Sequence, residues 1–382
     1  MKVLWITGNF YPIIGGLEVY TELLTRALAK QCHVGLIIES GQHPPINNEI
    51  RSFSVDCIRH PTTEQAFVST KKHIEEIVLT YGPDVVHFSN AGVAVYKASV
   101  AQSIPTFATV HGNDLTAPWQ LVPHGTAKDA VIEALNSVSH IITVSEYTEG
   151  LIKRSAIATQ TSVIRHGCDL QCFRPFQFDA LSIKRQFSIP TNCPILLTVG
   201  RFVPRKGHMV LLKAICKLSI PFHWIVVGEG PLFPEFVEEL RRRGMASRTT
   251  LLRRVSERDL SVLYNLCNLF VLVPLDIVSN RGLDSEGFGM VFQEAGACGK
   301  PVIGSDVSGC REAVVNGETG ILVPAGDCDR LTQAITAVIT DDSLARSLGD
   351  NGLIHARALG DWSRVADDTY SLYTRAIGCH GT

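Results

Sequence analysis

Short runs of Val, Ile and Leu recur along the chain without the polar alternation of a strand that faces water on one side. They fall at residues 3–7, 34–39, 85–88, 106–110 and 141–144, then at 195–199, 224–227, 269–273, 301–304 and 321–323. Such runs suit strands buried on both faces of a sheet. Between them lie amphipathic segments of helical period, residues 18–30 and 208–218 among them. The alternation predicts βαβ units, and so parallel sheets with helices on both sides. It breaks once, over residues 170–193, where prolines accumulate and no strand run stands out; PILLTVGR from Pro194 then opens a fresh strand. The pattern therefore predicts an N-terminal domain over 1–170, a linker over 171–193 and a C-terminal domain over 194–361. Residues 362–377 are expected to form a closing helix, and the polar, proline-containing residues 40–55 a mobile surface loop.

Composition narrows the partners. Of 382 residues, 45% are hydrophobic and 19% charged, enough apolar material for two cores. Lys+Arg is 35 against Asp+Glu 37, a balance that argues against a nucleic-acid partner. The 11 cysteines include no Cys-x-x-Cys pair, and free thiols in a reducing cytoplasm are expected. Cys168 and Cys172 near His166 do not make a convincing metal set. No apolar stretch reaches the roughly 18 residues of a membrane span, and the N-terminus lacks a signal-peptide pattern.

Ligands of parallel sheets bind at the carboxyl ends of strands, so the loops there carry the candidate chemistry. After the first strand, Gly15-Gly16 opens a helix and allows close approach of an anion. The spacing is not Gly-x-Gly-x-x-Gly, which argues against a dehydrogenase although Glu39 ends the second strand. In the second half, Gly200-Arg201 ends a strand and Lys206-Gly207 begins a helix, two cations suited to a diphosphate. In SEGFGMVFQEA, Glu286 lies in a glycine-punctuated loop and a helix is expected from about Gly289 to Cys298. Phe288, Gly289 and Met290 would offer N–H groups to an anion, and Glu286 and Glu294 could hold sugar hydroxyls. The only Asp-x-Asp, Asp327-Cys328-Asp329, is expected to cap a helix rather than bind Mg²⁺ or Mn²⁺.

These segments, with FYPIIGGLE, VHGND at 110–114, VSEYT at 144–148, HGCDLQCFRP at 166–175, VVGEGP at 226–231 and VSERDLSVLY at 255–264, resemble the retaining glycosyltransferases of family 4 over nearly the whole chain. The block with Glu286 and Glu294 looks like that family's E-x7-E motif. The resemblance implies the GT-B fold, an α/β architecture of two Rossmann-like parallel-sheet domains facing across a cleft, with helix 362–377 packing back on the first. It implies a catalytic set of His111, Glu286, Arg201 and Lys206. Donor contacts would come from Gly15, Gly16, Arg201, Lys206, Val255, Glu286, Phe288, Gly289, Met290 and Glu294. Glu294 would hold the ribose and Glu286 the donor sugar, with no metal and no cofactor, the nucleotide diphosphate-sugar being a substrate. The family's Pro-Asn-Gly reads here Arg165-His166-Gly167, which leaves the role of His166 open. The acceptor would be a glycan, a lipid-linked or a small-molecule hydroxyl, reached in the cytoplasm or at the inner membrane face. Alternatives on the same fold are a nucleotide-sugar 2-epimerase, a glycan phosphorylase or a non-catalytic nucleotide-sugar-binding subunit.

Overall fold

The structure is a computed structural model that describes residues 1–10, 15–42, 49–59, 61, 63–116, 127–280 and 282–380. It divides into two compact units, each with its own parallel sheet. Unit 1 comprises Met1–Gly167, Val278–Gly287 and Trp362–Thr382; unit 2 comprises Cys168–Ile277 and Phe288–Asp361.

The sheet of unit 1 has seven strands: β1 (Lys2–Ile6), β2 (His33–Glu39), β3 (Ile50–Val55), β4 (Val85–Phe88), β5 (Thr106–Val110), β6 (His140–Thr143) and β7 (Thr161–Val163). Their order is β3-β2-β1-β4-β5-β6-β7. β1 pairs in parallel with β2, Leu4 opposite Gly35, and with β4, Leu4 opposite Val86. The chain thus turns from one half of the sheet to the other at β1 and β4, the kind of switch point where strand ends open a crevice. The core gathers Leu4, Val86, Phe88, Tyr96 and Ile141 with Ile74 from the helix Glu64–Tyr81.

Unit 2 holds β8 (Ile195–Val199), β9 (His223–Val227), β10 (Thr249–Leu252), β11 (Leu269–Val271), β14 (Val302–Ser305) and β15 (Gly320–Val323). Its order, β10-β9-β8-β11-β14-β15, puts the switch point between β8 and β11. Leu196, Trp224, Val226, Val271 and Ile303 pack there with Leu212 and Leu331 from the flanking helices. A separate two-stranded sheet is formed by β12 (Ile277–Ser279) and β13 (Gly282–Asp284).

Every one of the ten apolar runs forms a strand. Three expectations are corrected. Residues 40–55 are not all loop, because Ile50–Val55 pairs with β2 at the sheet edge, with only Ile50 and Val55 buried; residues 43–48 lie outside the described residues. The expected linker 171–193 carries the helix Ala180–Gln186, whose first N–H groups are held by the Asp179 carboxylate, and it counts with unit 2. Residues 278–287, expected in the second domain, count with unit 1. There the Leu283 carbonyl accepts from Thr116, the Ser285 and Tyr147 hydroxyls meet at 2.9 Å, and the Gly287 carbonyl accepts from Ser145 at 2.7 Å. The closing helix, Trp362–His380, belongs to unit 1 and lies against the helix Gly16–Leu28, with Gln31 donating to Asp367 at 2.6 Å.

Candidate functional site

In unit 1 the candidate residues collect at the carboxyl end of the sheet. β5 delivers His111, and the next turn returns Asp114 beneath it. The His111 backbone N–H donates to Asp114 Oδ1 and the Ala91 N–H to Asp114 Oδ2, both at 2.9 Å. One carboxylate thereby ties the loop after β4 to the loop after β5. His111 Nε2 lies 3.0 Å from the Ser89 carbonyl. A carbonyl can only accept, so the proton sits on Nε2 and Nδ1 keeps its lone pair. Burial lowers the pKa of His111, with Asp114 opposing, and the ring is neutral near pH 7.

Aromatic rings wall this histidine. Tyr20 meets His111 edge-on at 4.8 Å and His166 at 5.1 Å, and Trp362 packs 5.7 Å from Tyr20 and 6.0 Å from His166. His166 is therefore a buried neighbour of His111, its pKa held well below the usual range by burial and by His111, with Glu286 opposing. Beneath them runs a buried polar chain. The Tyr20 hydroxyl meets Thr109 Oγ1 at 3.1 Å, Thr109 meets His87 Nε2 at 2.8 Å, and His87 Nδ1 meets the Tyr373 hydroxyl at 2.5 Å. Glu286 is buried, 9% exposed, between Ser285 and Gly287, the two residues that hydrogen-bond to Tyr147 and Ser145. Gly287 is required by a close approach: a Cβ there would lie 1.9 Å from the His111 carbonyl oxygen. Gly15, in an extended conformation, precedes the helix Gly16–Leu28, and Asn9 donates to the buried Glu18 at 3.1 Å.

In unit 2, β8 ends at Gly200-Arg201, and Pro204–Lys206 forms one 3₁₀ turn before the helix His208–Ile215. Arg201 is exposed and Lys206 half-buried. Arg205 is buried, and its carbonyl accepts from the Leu275 N–H at 2.7 Å, which ties this turn to the loop after β11. Gly207 must be glycine: its φ is 69°, and a Cβ would stand 1.9 Å from the Val273 carbonyl oxygen. Phe288 is buried, Gly289 has φ 100°, and the helix Met290–Ala297 follows. Val255, half-buried, precedes the Ser256 cap of the helix Glu257–Leu266.

Glu294 sits on the second turn of its helix. Burial pushes its pKa up to about 7, against a hydrogen bond from Tyr264 and the charge of Lys206, while Glu257 adds to the rise. Lys206 and Glu294 thus share one electrostatic neighbourhood, at the switch point of this sheet. The boundary between the units falls inside the E-x7-E block, after Gly287, so Glu286 belongs to unit 1 and Glu294 to unit 2.

Asp327 caps the helix Cys328–Thr340, its Oδ1 accepting from the N–H groups of Asp329 and Arg330 at 3.1 and 2.9 Å. Asp329 itself pairs with Lys217 at 2.7 Å. The sequence alone assigns no role to three residues that shape the site: Asp114, Tyr20 and Tyr264. Asp114 has a signal, since an Asp three residues after a strand-terminal histidine can bond back to that backbone. The two tyrosines have none, because their partners lie 89 and 30 positions away.

The chain matches the model described as glycosyl transferases group 1 over residues 179–354 and the one described as glycosyltransferase family 4 over residues 14–171. A GDP-mannose-dependent alpha-(1-6)-phosphatidylinositol monomannoside mannosyltransferase of Mycobacterium tuberculosis is 25% identical over 382 residues, 96% of either chain. Sucrose-phosphate synthase from Thermosynechococcus elongatus superposes with a TM-score of 0.84 at 25% identity, covering 99% of both chains. Anabaena HepE, solved with UDP and glucose, gives a TM-score of 0.79 at 20% identity over 98% of this chain and 100% of its own, a likeness of fold.

Proposed function

The chain belongs to the family 4 glycosyltransferases and has the GT-B fold, and from that premise we propose that it transfers a sugar from a nucleotide diphosphate donor to an acceptor hydroxyl with retention at the anomeric carbon and without a metal ion. The observation that carries the reading is that Lys206, in the turn after β8, acts on the Glu294 carboxylate, while Arg201 lies just past the end of the same strand at the switch point of unit 2. A carboxylate beside a cation suits a nucleoside diphosphate, which offers a ribose diol and two phosphates a short distance apart. In this reading Glu294 accepts from the ribose hydroxyls, and Arg201 and Lys206 neutralise the diphosphate. The start of the helix Met290–Ala297 adds its positive end to that charge.

Bond breaking is largely departure of the diphosphate from an oxocarbenium-like carbon. Negative charge therefore grows on the β-phosphate in the transition state, and fixed cations there lower the barrier more than they tighten ground-state binding. In unit 1, Glu286 and the neutral His111 with its Nδ1 lone pair are hydrogen-bond acceptors of the kind that sugar hydroxyls need. The mannosyltransferase relative is named for GDP-mannose and a lipid acceptor, and HepE was solved with UDP and glucose. GDP-mannose and UDP-glucose are accordingly the first donors to offer, with lipid-linked and soluble acceptors.

The test is product analysis by NMR with each donor, with and without acceptor, in buffer containing EDTA. An acceptor glycoside of the donor's own anomeric configuration is expected, formed at an undiminished rate under chelation. Activity lost to EDTA and restored by Mn²⁺ would overturn the metal-free clamp. A free epimer or a sugar 1-phosphate in place of a glycoside would overturn the transferase reading.

Arg201→Ala and Lys206→Ala each remove a charge-assisted bond of about 1.5–3 kcal/mol. Turnover should fall roughly 10- to 150-fold, with a smaller change in donor KM. Wild-type turnover with only a raised KM would show that these cations bind the donor without serving its departure.

A further inference from the structure

Tyr264 lies on the helix Glu257–Leu266 and is fully buried, with its ring 5.6 Å from Phe173 and 5.7 Å from Phe270. Its hydroxyl donates to Glu294 Oε2 at 2.7 Å. Burial and the adjacent carboxylate hold the phenol well above its usual range, so it remains a donor at every pH the fold tolerates. Glu294 Oε1 makes no hydrogen bond among the described residues. One oxygen of this carboxylate is therefore fixed from behind and the other is left for a ligand.

We propose that Tyr264 is a positioning residue for nucleotide binding: it orients the Glu294 carboxylate and favours its ionised form, which takes the ribose diol, so that nucleotide entry is coupled to loss of a proton from Glu294. The proposal rests on the reading of Glu294 as the ribose-binding carboxylate.

The titratable groups that act on this carboxylate, or feel its charge, come from several elements. Tyr264 and Glu257 face it from one helix, Lys206 from the turn after β8, Cys168 and Cys172 from the segment before the helix Ala180–Gln186, and Cys298 from the end of its own helix. Cys267 lies behind Cys298 and Tyr264. Burial raises all four thiols, so they are neutral and supply a weakly polar wall. The switchable group is then Glu294 itself, with Lys206 and Tyr264 favouring the charged form and burial and Glu257 opposing it.

The proton balance is simple. The ribose hydroxyls keep their protons and donate them to the carboxylate oxygens. A protonated Glu294 carries a donor where an acceptor is needed, and its proton passes to the buffer as the nucleotide binds. With the free carboxyl titrating at about 7, affinity should rise about tenfold between pH 6 and pH 8. Tyr264→Phe removes one favourable bond to the ionised form, so its midpoint should move to higher pH and its deficit should shrink in alkali.

The test is calorimetric titration of GDP-mannose and UDP-glucose, whose esterified phosphates carry no proton that titrates near pH 6 as a terminal phosphate does, into the whole protein at pH 6, 7 and 8, in buffers of different ionisation enthalpy. Wild-type protein is expected to release about half a proton at pH 7. Tyr264→Phe should show a displaced pH profile, and Glu294→Gln weak binding that is flat with pH. The wild-type buffer series needs no variant, so the proposal stays testable if Tyr264→Phe folds poorly. No proton release from the wild type, or an undisplaced profile for Tyr264→Phe while Glu294→Gln binds weakly, would overturn the role of Tyr264 alone. Glu294→Gln binding nucleotide as tightly as wild type would overturn the ribose reading beneath it.

Discussion

Glu286 and Glu294 stand eight positions apart in one motif, yet the fold gives them different surroundings. Glu294 is braced by Tyr264 and touched by the charge of Lys206, whereas Glu286 is enclosed beside residues that bond to Tyr147 and Ser145 and acts on His166. If the first serves the ribose and the second only the sugar, Glu294→Ala should weaken free nucleotide and intact donor alike, by about 1.5–3 kcal/mol. Glu286→Ala should spare nucleotide affinity and lower turnover, because an unheld sugar meets the acceptor in poor geometry. Calorimetry with the nucleoside diphosphate, alongside turnover with the donor, separates the two; the opposite pattern would exchange the roles. Between them, Gly287→Ala would press a methyl group onto the His111 carbonyl, its carbon only 1.9 Å from that oxygen unless the backbone shifts. It should cost about 1–3 kcal/mol of stability and reduce activity, visible in a lowered Tm and turnover; an unchanged Tm would show that the segment gives way freely. The sequence displays such a glycine as one of two in SEGFG. Only the strand-terminal carbonyl opposite it, 176 positions earlier, says why this one cannot change.

At the level of elements, what the residue pattern reveals depends on where burial lies. Central strands such as VLWI and FATV are apolar on both faces, so their run of hydrophobic residues is unmistakable. In the two large sheets the strands that escape such a reading are β3, β7 and β10, the edge strands on all but one side. IRSFSV buries only its two end residues, TSV none fully, and TTLL none fully. Edge position removes one layer of packing, and with it the apolar signal. The helix Trp362–His380 shows the same dependence from the other direction. Its period is plain in the sequence, but its attachment rests on Tyr373 reaching His87, 286 positions away. Tyr373→Phe leaves His87 Nδ1 buried without that partner and should destabilise the protein by about 1–3 kcal/mol. Chemical denaturation measures it, and a loss under about 0.5 kcal/mol would mean that the helix is held by its other contacts, the ring packing against Phe107 and the face on Gly16–Leu28 among them.

Across the whole molecule, buried titratable groups are shared unequally between the units, which makes acid a probe of them separately. In unit 1, burial lowers the pKa values of His87, His111, His140 and His166. In unit 2 it lowers those of His223 and His208, the latter to about 3. A histidine depressed in the folded state contributes stability above its ordinary value of 6.5, and that contribution is lost as pH falls from there toward the folded value. The carboxyl groups raised by burial act the other way: Glu39 in unit 1 and Glu294 in unit 2 bind protons more readily when folded, so each favours the folded state as pH falls through its raised value toward 4.5, a window that opens at about 7 for Glu294. Glu294, lifted to about 7, offsets much of the histidine loss in unit 2. Four depressed histidines against Glu39 leave unit 1 with the larger net proton uptake on unfolding. Glu149, lowered by Lys153, adds to that uptake at lower pH, as Glu239 does in unit 2. Hydrogen exchange followed by mass spectrometry between pH 7.5 and 5 should therefore show protection fading first in β1, β4 and β5, while β8, β9 and β11 hold to lower pH, once rates are corrected for their intrinsic pH dependence. Protection lost together in both sheets would mean that the units unfold as one cooperative body. Loss beginning in β8 would mean that burying His208 beside Lys206 weighs more than the four histidines of unit 1.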